Sequence, residues 1–404
     1  MRINVKKFVH IYILLILISV LPYDLKSQNA VVKTLVDMGF ENVSCSESET
    51  ERVYVMENTT YRLNGQGVAK AVEVVSAEGF NDGKPCRLIF LNNNVPQISL
   101  YCRPAVNDSV PESTMSDWTV SYDLGHDWRK YLKGKKYNSS LYKVDIVIYP
   151  EISLKNLVIT QIYQVLFNLS PAIEVSLWNG MMLTAQMVFP VYNDGYGTRA
   201  GKVHPGFLTL RQSVRLPYNT WATLSVGMFN AERYGGDLKL LHAFKNEHFT
   251  VEGRVGLTAT YRWNKFKLTY GTKTRLTWSV GGSYYWPRYN TQFTLKGEQY
   301  LLGEKGIYGE FIRHFRYASI GFYMMKAQYA KKDGGFRFQI ALPPYKYKRR
   351  GYIPRITPSK NIGLRYDAGN ELYYYKSYRS APSDNIMQMN SFNPYYIKSE
   401  LLNY

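Results

Sequence analysis

Cysteine is nearly missing from this chain. Cys45, Cys86 and Cys102 are the only three, with no CxxC spacing and no paired histidines, which argues against a zinc-stapled module. Histidine is also scarce: His10, His126, His204, His242, His248 and His314 lie far apart and beside no recognisable nucleophile. No catalytic constellation or cofactor is therefore expected, and Gly281-Gly282 and Gly334-Gly335 read as strand bends, not phosphate loops. Beyond Leu21 no apolar run approaches the roughly 20 residues a spanning helix needs, so any membrane crossing must be made by strands. Acidic residues are few as well, 31 against 50 Lys and Arg, for a formal charge of +19.

What the N-terminus does have is the three-part pattern of an export signal over residues 1–27. Arg2, Lys6 and Lys7 precede the apolar stretch Ile11 to Leu21, and a polar segment closes at Ser27, where cleavage is expected. Removing these residues takes away four cations and one acid and leaves +16. So basic a chain suits nucleic acid, anionic lipopolysaccharide or an acidic polymer, and export sets nucleic acid aside. The 36 tyrosines suit the aromatic girdles of a barrel, as they would any β-rich protein.

Residues 135–370 carry short segments in which apolar and polar residues alternate. Along Val251 to Trp263 one face reads Val251, Gly253, Val255, Leu257, Ala259, Tyr261 and Trp263, and the other Glu252, Arg254, Gly256, Thr258, Thr260 and Arg262. Strand side chains point alternately to opposite faces, so one face can meet lipid and the other a wet lumen. Leu208, Leu210, Val214 and Leu216 likewise oppose Thr209, Arg211, Ser213 and Arg215. These patterns predict an antiparallel outer-membrane β-barrel of roughly ten to twelve strands. Arg211, Arg215, Glu252, Arg254, Arg262 and Arg275 are expected to face its lumen. There the arginines either favour anions in transit or pair with acids such as Glu252 to fill space. A soluble β-sandwich would also alternate, but not behind an export signal with so many successive strands.

Residues 30–104 read as a small α+β domain in the order helix, strand, strand, helix, strand, strand. Val32, Leu35, Val36 and Met38 recur at helical spacing before Gly39, and Val68 to Ala77 forms the second helix. Cys86 to Leu91 and Gln97 to Cys102 flank Asn92, Asn93 and Asn94, a hairpin register that places Cys86 opposite Cys102 as a disulfide candidate. Residues 105–134 read as a linker, and residues 371–404 as a Tyr-rich tail, partly ordered at best.

Several short motifs resemble one family. Tyr300-Leu301-Leu302-Gly303-Glu304-Lys305-Gly306, followed by Arg313 and Phe315, is similar to the RYLAGDKG region of the YjbH/GfcD family of exopolysaccharide- and capsule-associated outer-membrane proteins. Gly227-Met228-Phe229 with Arg233-Tyr234-Gly235 resembles its strand ending in an Arg-Tyr-Gly turn. Glu57-Asn58 with Tyr61-Arg62 resembles its EN..YR strand end, and Arg365-Tyr366-Asp367-Ala368-Gly369 its closing element. Gln299 and Ala368 depart from the pattern, and the chain holds one barrel-sized region where relatives such as YjbH and GfcD are longer. The resemblance implies a barrel in the outer membrane of a Gram-negative bacterium, with its small domain in the periplasm. It implies a part in exporting or assembling a surface polysaccharide, as conduit or scaffold, without catalytic residues to inherit. Outer-membrane lipid, an acidic polysaccharide and other envelope proteins of that pathway would be the partners. A non-transporting accessory barrel of a secretion apparatus is the competing expectation, and a barrel enzyme acting on lipid or glycan a third.

Overall fold

The computed structural model describes residues 30–80, 83–107, 110–112, 114–157, 161–198, 200–264, 267–367, 377–385 and 392–403. The expected export signal lies outside them. Helix α1 (Ala30–Met38), strands β1 (Glu41–Glu47) and β2 (Arg52–Glu57), helix α2 (Asn64–Glu78) and strands β3 (Cys86–Asn92) and β4 (Val95–Cys102) follow the expected order. A hairpin of β5 (Ala105–Asn107) and β6 (Val110–Glu112) comes next, then β7 (Thr119–Ser121) and the short helix α3 (Trp128–Tyr131).

The domain sheet runs β1-β2-β3-β4-β7, with β2 and β3 parallel. Alternation along its strands sorts the side chains into two cores. Tyr54, Met56, Leu88, Phe90, Ile98 and Leu100 meet Val31, Leu35, Val68, Val72 and Val75 of the helices, while Val53, Val55, Ile89 and Leu91 meet Leu124 and Tyr131. Each fully buried Val, Leu, Ile, Phe or Met is worth about 1.5–3 kcal/mol. The segment expected to be a linker supplies β7, Leu124 and Tyr131, so the domain extends through it. Its polar residues misled because half of the layer over the second core is a loop.

The barrel strands are β8 (Val144–Leu157), β9 (Gln161–Trp178), β10 (Met181–Asp194), β11 (His204–Leu216), β12 (Thr220–Phe229), β13 (Arg233–Ala243) and β14 (Phe249–Asn264). After the small β15 (Lys267–Tyr270) come β16 (Arg275–Trp286), β17 (Thr291–Gln299), β18 (Lys305–His314), β19 (Ala318–Ala327), β20 (Asp333–Ala341), β21 (Arg355–Pro358) and β22 (Asn361–Asp367). β15 extends only β14 and β21 only β8, so thirteen strands form the ring, not ten to twelve. The strands at the two ends of the wall, β8 and β22, make the difference: Val144, Ile146 and Ile148 alternate as a strand without fixing that the wall begins there, and alternation does not mark β22. With an odd count these two run the same way and close the ring in parallel, through Leu364 opposite Ile152 and Arg365 opposite Ser153.

The outer wall is apolar and bare. Leu208, Leu210, Leu224, Val226, Leu238, Val255, Leu257, Leu276, Val280 and Leu295 are all exposed, a belt that water would not tolerate and lipid would. No helix among the described residues is long and apolar enough to cross a membrane.

Candidate functional site in the barrel lumen

Inside the wall, charges meet in pairs. Glu252 holds Lys239 at 3.6 Å and also Lys296, Arg254 Nε donates to Asp237 at 2.8 Å, and Arg337 donates to Glu310 at 2.8 Å. Asp237 and Lys239 of β13 adjoin β14, whereas Lys296 of β17 reaches Glu252 of β14 across Gly281 of β16, and Arg337 of β20 reaches Glu310 of β18 across β19. Arg211, Glu252 and Arg254, which the alternation points inward, are thus compensated inside the lumen.

Of the other three expected lumen residues, two lie on the inward face at the ends of the barrel and one lies outside the ring. Arg215 lies at the mouth, giving hydrogen bonds to the carbonyls of Gln97 (2.7 Å), Pro96 (3.3 Å) and Tyr122, with its guanidinium 4.5 Å from the Trp221 ring centroid. Arg275 opposes Thr258 at the start of β16, near the opposite rim. Arg262 is not in the lumen at all: β14 leaves the ring after Thr260 to pair with β15, and Arg262, opposite Thr269, is exposed on that hairpin. Strict alternation over Val251 to Trp263 concealed this departure from the ring.

Residues 377–385 occupy the lumen. They stand between β22, which ends at the rim remote from the small domain, and helix α4 (Pro394–Leu402), which packs on α2 at the domain. The Tyr378 ring stacks on Phe229 at 5.5 Å, its hydroxyl donates to Asp237 at 2.7 Å, and Arg254 lies over it at 4.8 Å. Gly256 makes room: a Cβ there would lie 1.7 Å from the Tyr378 hydroxyl. Further along, Arg379 reaches Glu151 at 2.7 Å, and Asp384 accepts from Arg211 at 2.8 Å and from the N–H groups of Ser380 and Ala381. Composition gave no hint of this order. The readable signal was Gly256, a vacancy on an otherwise filled inward face.

The domain covers the mouth. Every turn at that end of the ring touches it or α4: Gly180 N–H donates to the Asn93 carbonyl (2.9 Å), Glu247 accepts from Ser121 Oγ (2.6 Å), and Asn290 Nδ2 donates to Ser399 Oγ (2.9 Å). Arg316 stands 4.0 Å from Glu400. Asp145 at the start of β8 receives Arg349 and Arg355, and Arg349 also reaches Glu41 at 2.6 Å. Burial pushes the carboxyls of Glu247 and Glu400 above the ordinary glutamate range.

The family-like residues divide between the two rims. Glu57, buried and likewise pushed up by burial, accepts from Asn42 Nδ2 (2.6 Å) and the N–H of Asn94 (3.0 Å). Asn58 pins the backbone of Tyr61 from both sides at 2.9 Å, and Arg62 donates to the carbonyls of Pro344 and Pro358 and to Thr357 Oγ1, each at 3.0 Å. This motif is the latch between domain and barrel. Arg233, Tyr234 and Gly235 lie at the remote rim, where Arg233 donates to the Thr258 carbonyl at 2.7 Å and Tyr234 to that of Gly271 at 3.2 Å. Tyr300 to Gly306 form the β17–β18 turn. Gly303 sits at φ +97°, Lys305 is exposed, and a Cβ on Gly306 would strike Tyr300 at 2.9 Å. Arg365 stands over the Tyr323 ring at 4.4 Å, and Asp367 ends β22 opposite Gly335. Cys86 and Cys102 oppose each other in the β3–β4 register as expected, but both are thiols, and Cys86 Sγ points to the Gly79 carbonyl at 3.5 Å. Among the described residues no group of His, Cys, Asp and Glu could hold a metal ion.

A closed ring of strands, antiparallel except at the β8–β22 seam, with an apolar outer belt and a polar interior defines an integral β-barrel of the outer-membrane type. A mutant porin of Rh. blastica aligns with 50% of this chain and 90% of its own at 9% identity, with a TM-score of 0.29. A loop-deletion mutant of OmpT, an outer membrane protein of Vibrio cholerae, aligns with 49% of this chain and 87% of its own at 12% identity and a TM-score of 0.28. No family model and no curated protein matches the chain. The class rests on the barrel's own geometry.

Proposed function

We propose that this protein is a closed outer-membrane scaffold that assists export or assembly of an extracellular or capsular polysaccharide, its small domain docking pathway partners on the periplasmic side. The observation that carries the closed form is the seating of residues 377–385 in the lumen, with Asp384 on Arg211 and Tyr378 on Asp237. An acidic polymer in transit would need those interior cations uncompensated. Polysaccharide is favoured by the resemblance of the latch and the β17–β18 turn to exopolysaccharide-associated barrels.

The test is genetic. Deleting the gene should strip surface polysaccharide, and the full chain should restore it. A chain carrying Arg211→Gln and Arg254→Gln should also restore it, because a scaffold needs no interior cations. A chain lacking residues 30–134 should insert yet fail to restore. Unchanged polysaccharide in the deletion strain would end this reading, and failure of the Arg variant despite correct insertion would favour a conduit.

A further inference from the structure

We propose that a trough on the outer wall, floored by glycine on β14 and β16 to β18, holds the acyl chain of an anionic phospholipid in the leaflet on the domain side. Its wall is a single rung of cross-strand aromatics. Phe249 opposes Tyr284, Tyr284 opposes Phe293, Phe293 opposes Phe311 and Phe311 opposes Phe322. Ring centroids lie 4.9 Å apart for the first pair and 5.1 Å for the third. The next rung alternates filled and empty, as Gly282 opposes Val251 and Leu295, and Gly309 opposes Leu295 and Met324. In the rung after that, Gly253 and Gly297 flank Val280. The floor is open backbone: a Cβ on Gly253 or Gly297 would meet nothing within 4 Å, on Gly282 only the Thr250 carbonyl at 3.5 Å, and on Gly309 only that of Met324 at 4.0 Å. The aromatic wall and the rung with Gly282 and Gly309 line an open groove of about 870 Å³.

Glycine within a strand weakens it and often marks the close approach of a ligand. Here the bare positions fall together on the apolar face, next to an aromatic wall, where a flexible hydrocarbon gains contact that a filled wall would deny it. Charge selects the headgroup. Arg313 lies two residues beyond Phe311 on the same face, roughly 7 Å toward the domain. Its guanidinium rests over the rings of Phe315 (5.3 Å) and Tyr289 (6.0 Å), with no carboxylate in ion-pair range among the described residues. Arg288, exposed on the adjoining turn, adds a second cation. A phosphate in this interfacial belt meets both. A second copy of the chain seated here would instead bring like cations together.

Choosing phospholipid over lipopolysaccharide rests on the domain end facing the periplasm, as in the proposed function, but the test reads no polysaccharide. The full chain, delipidated in neutral detergent and offered equal phosphatidylglycerol and phosphatidylcholine of identical chains, should retain the former about tenfold over the latter by native mass spectrometry. Arg288→Gln with Arg313→Gln should erase that preference while retaining some lipid. Gly282→Leu with Gly309→Leu should retain neither lipid, with heat-modifiable gel mobility confirming the folded barrel. Equal retention of the two lipids by the unaltered chain, preference for added lipopolysaccharide, or a dimer lost on filling the trough would each overturn the proposal.

Discussion

Each of the three guanidinium nitrogens of Arg62 donates to the barrel segment Pro344 to Pro358, and Glu57, five residues earlier in the chain, holds the β3–β4 turn. Removing Arg62 leaves two carbonyls and a hydroxyl short of a charged donor, a loss of about 2 kcal/mol. Arg62→Ala should therefore leave the barrel folded but expose the domain boundary to protease. Acid should have the opposite effect. Glu247 and Glu400 have folded pKa values raised by burial, so their contribution is fully present below the unfolded value and is lost as pH rises through the folded one. Protection of α4 from protease should then fall as pH rises from about 4.5, and Glu247→Gln with Glu400→Gln should flatten that dependence. If protection instead grows with pH, burial is not what sets these carboxyls. The cysteines give a third check. Directly opposed strand residues lie within disulfide reach, whereas Cys45 on β1 is two strands, roughly 10 Å, from β3. Mild oxidation should link Cys86 to Cys102 and leave Cys45 out, and any bridge to Cys45 would contradict the register. That register was readable because three asparagines mark the turn; the role of Arg62 was not, since its partners lie nearly 300 residues away.

Among the elements, the ring is weakest where its ends meet. Antiparallel neighbours share long ladders, such as the ten pairs from Thr220–His242 to Phe229–Arg233, while β22 meets β8 over two pairs and β21 adds four more. Parallel pairing is also slightly less stable per residue. Amide exchange should be fastest at Ile152, Ser153, Leu364 and Arg365 and slow at Leu224 and Leu238, and uniform protection round the ring would refute a weak seam. The inner strands were legible because each presents a clean two-residue period to lipid and lumen. The seam was not. β22 follows the proline-containing segment 343–358, and although Val144, Ile146 and Ile148 alternate as a strand should, the mixed segment after Pro150 did not fix where the wall begins. Phase also hides departures from the wall: β14 keeps alternating past Thr260, where its partner changes from β16 to β15.

For the whole molecule, two separate closures act in series on one passage. The domain and α4 cover the mouth, and residues 377–385 occupy the lumen. They are coupled, since α4 is the far end of the same tail and packs on α2. The full chain in a planar bilayer should therefore show no steady conductance. Removing residues 30–134 takes away the seat of α4 but leaves Tyr378 and Asp384 their partners in the wall, so brief openings should appear. Removing residues 368–404 empties the lumen and leaves the domain across the mouth, which should give a small, restricted current. Only removal of both should yield a steady pore, because only then is neither closure present. A steady pore in the full chain would show that ions pass beside the tail, and a tight seal in the doubly shortened one would mean that the wall itself collapses without its filling. Either result would separate the architecture from the closed scaffold inferred from it, since a fold can be shared without its function.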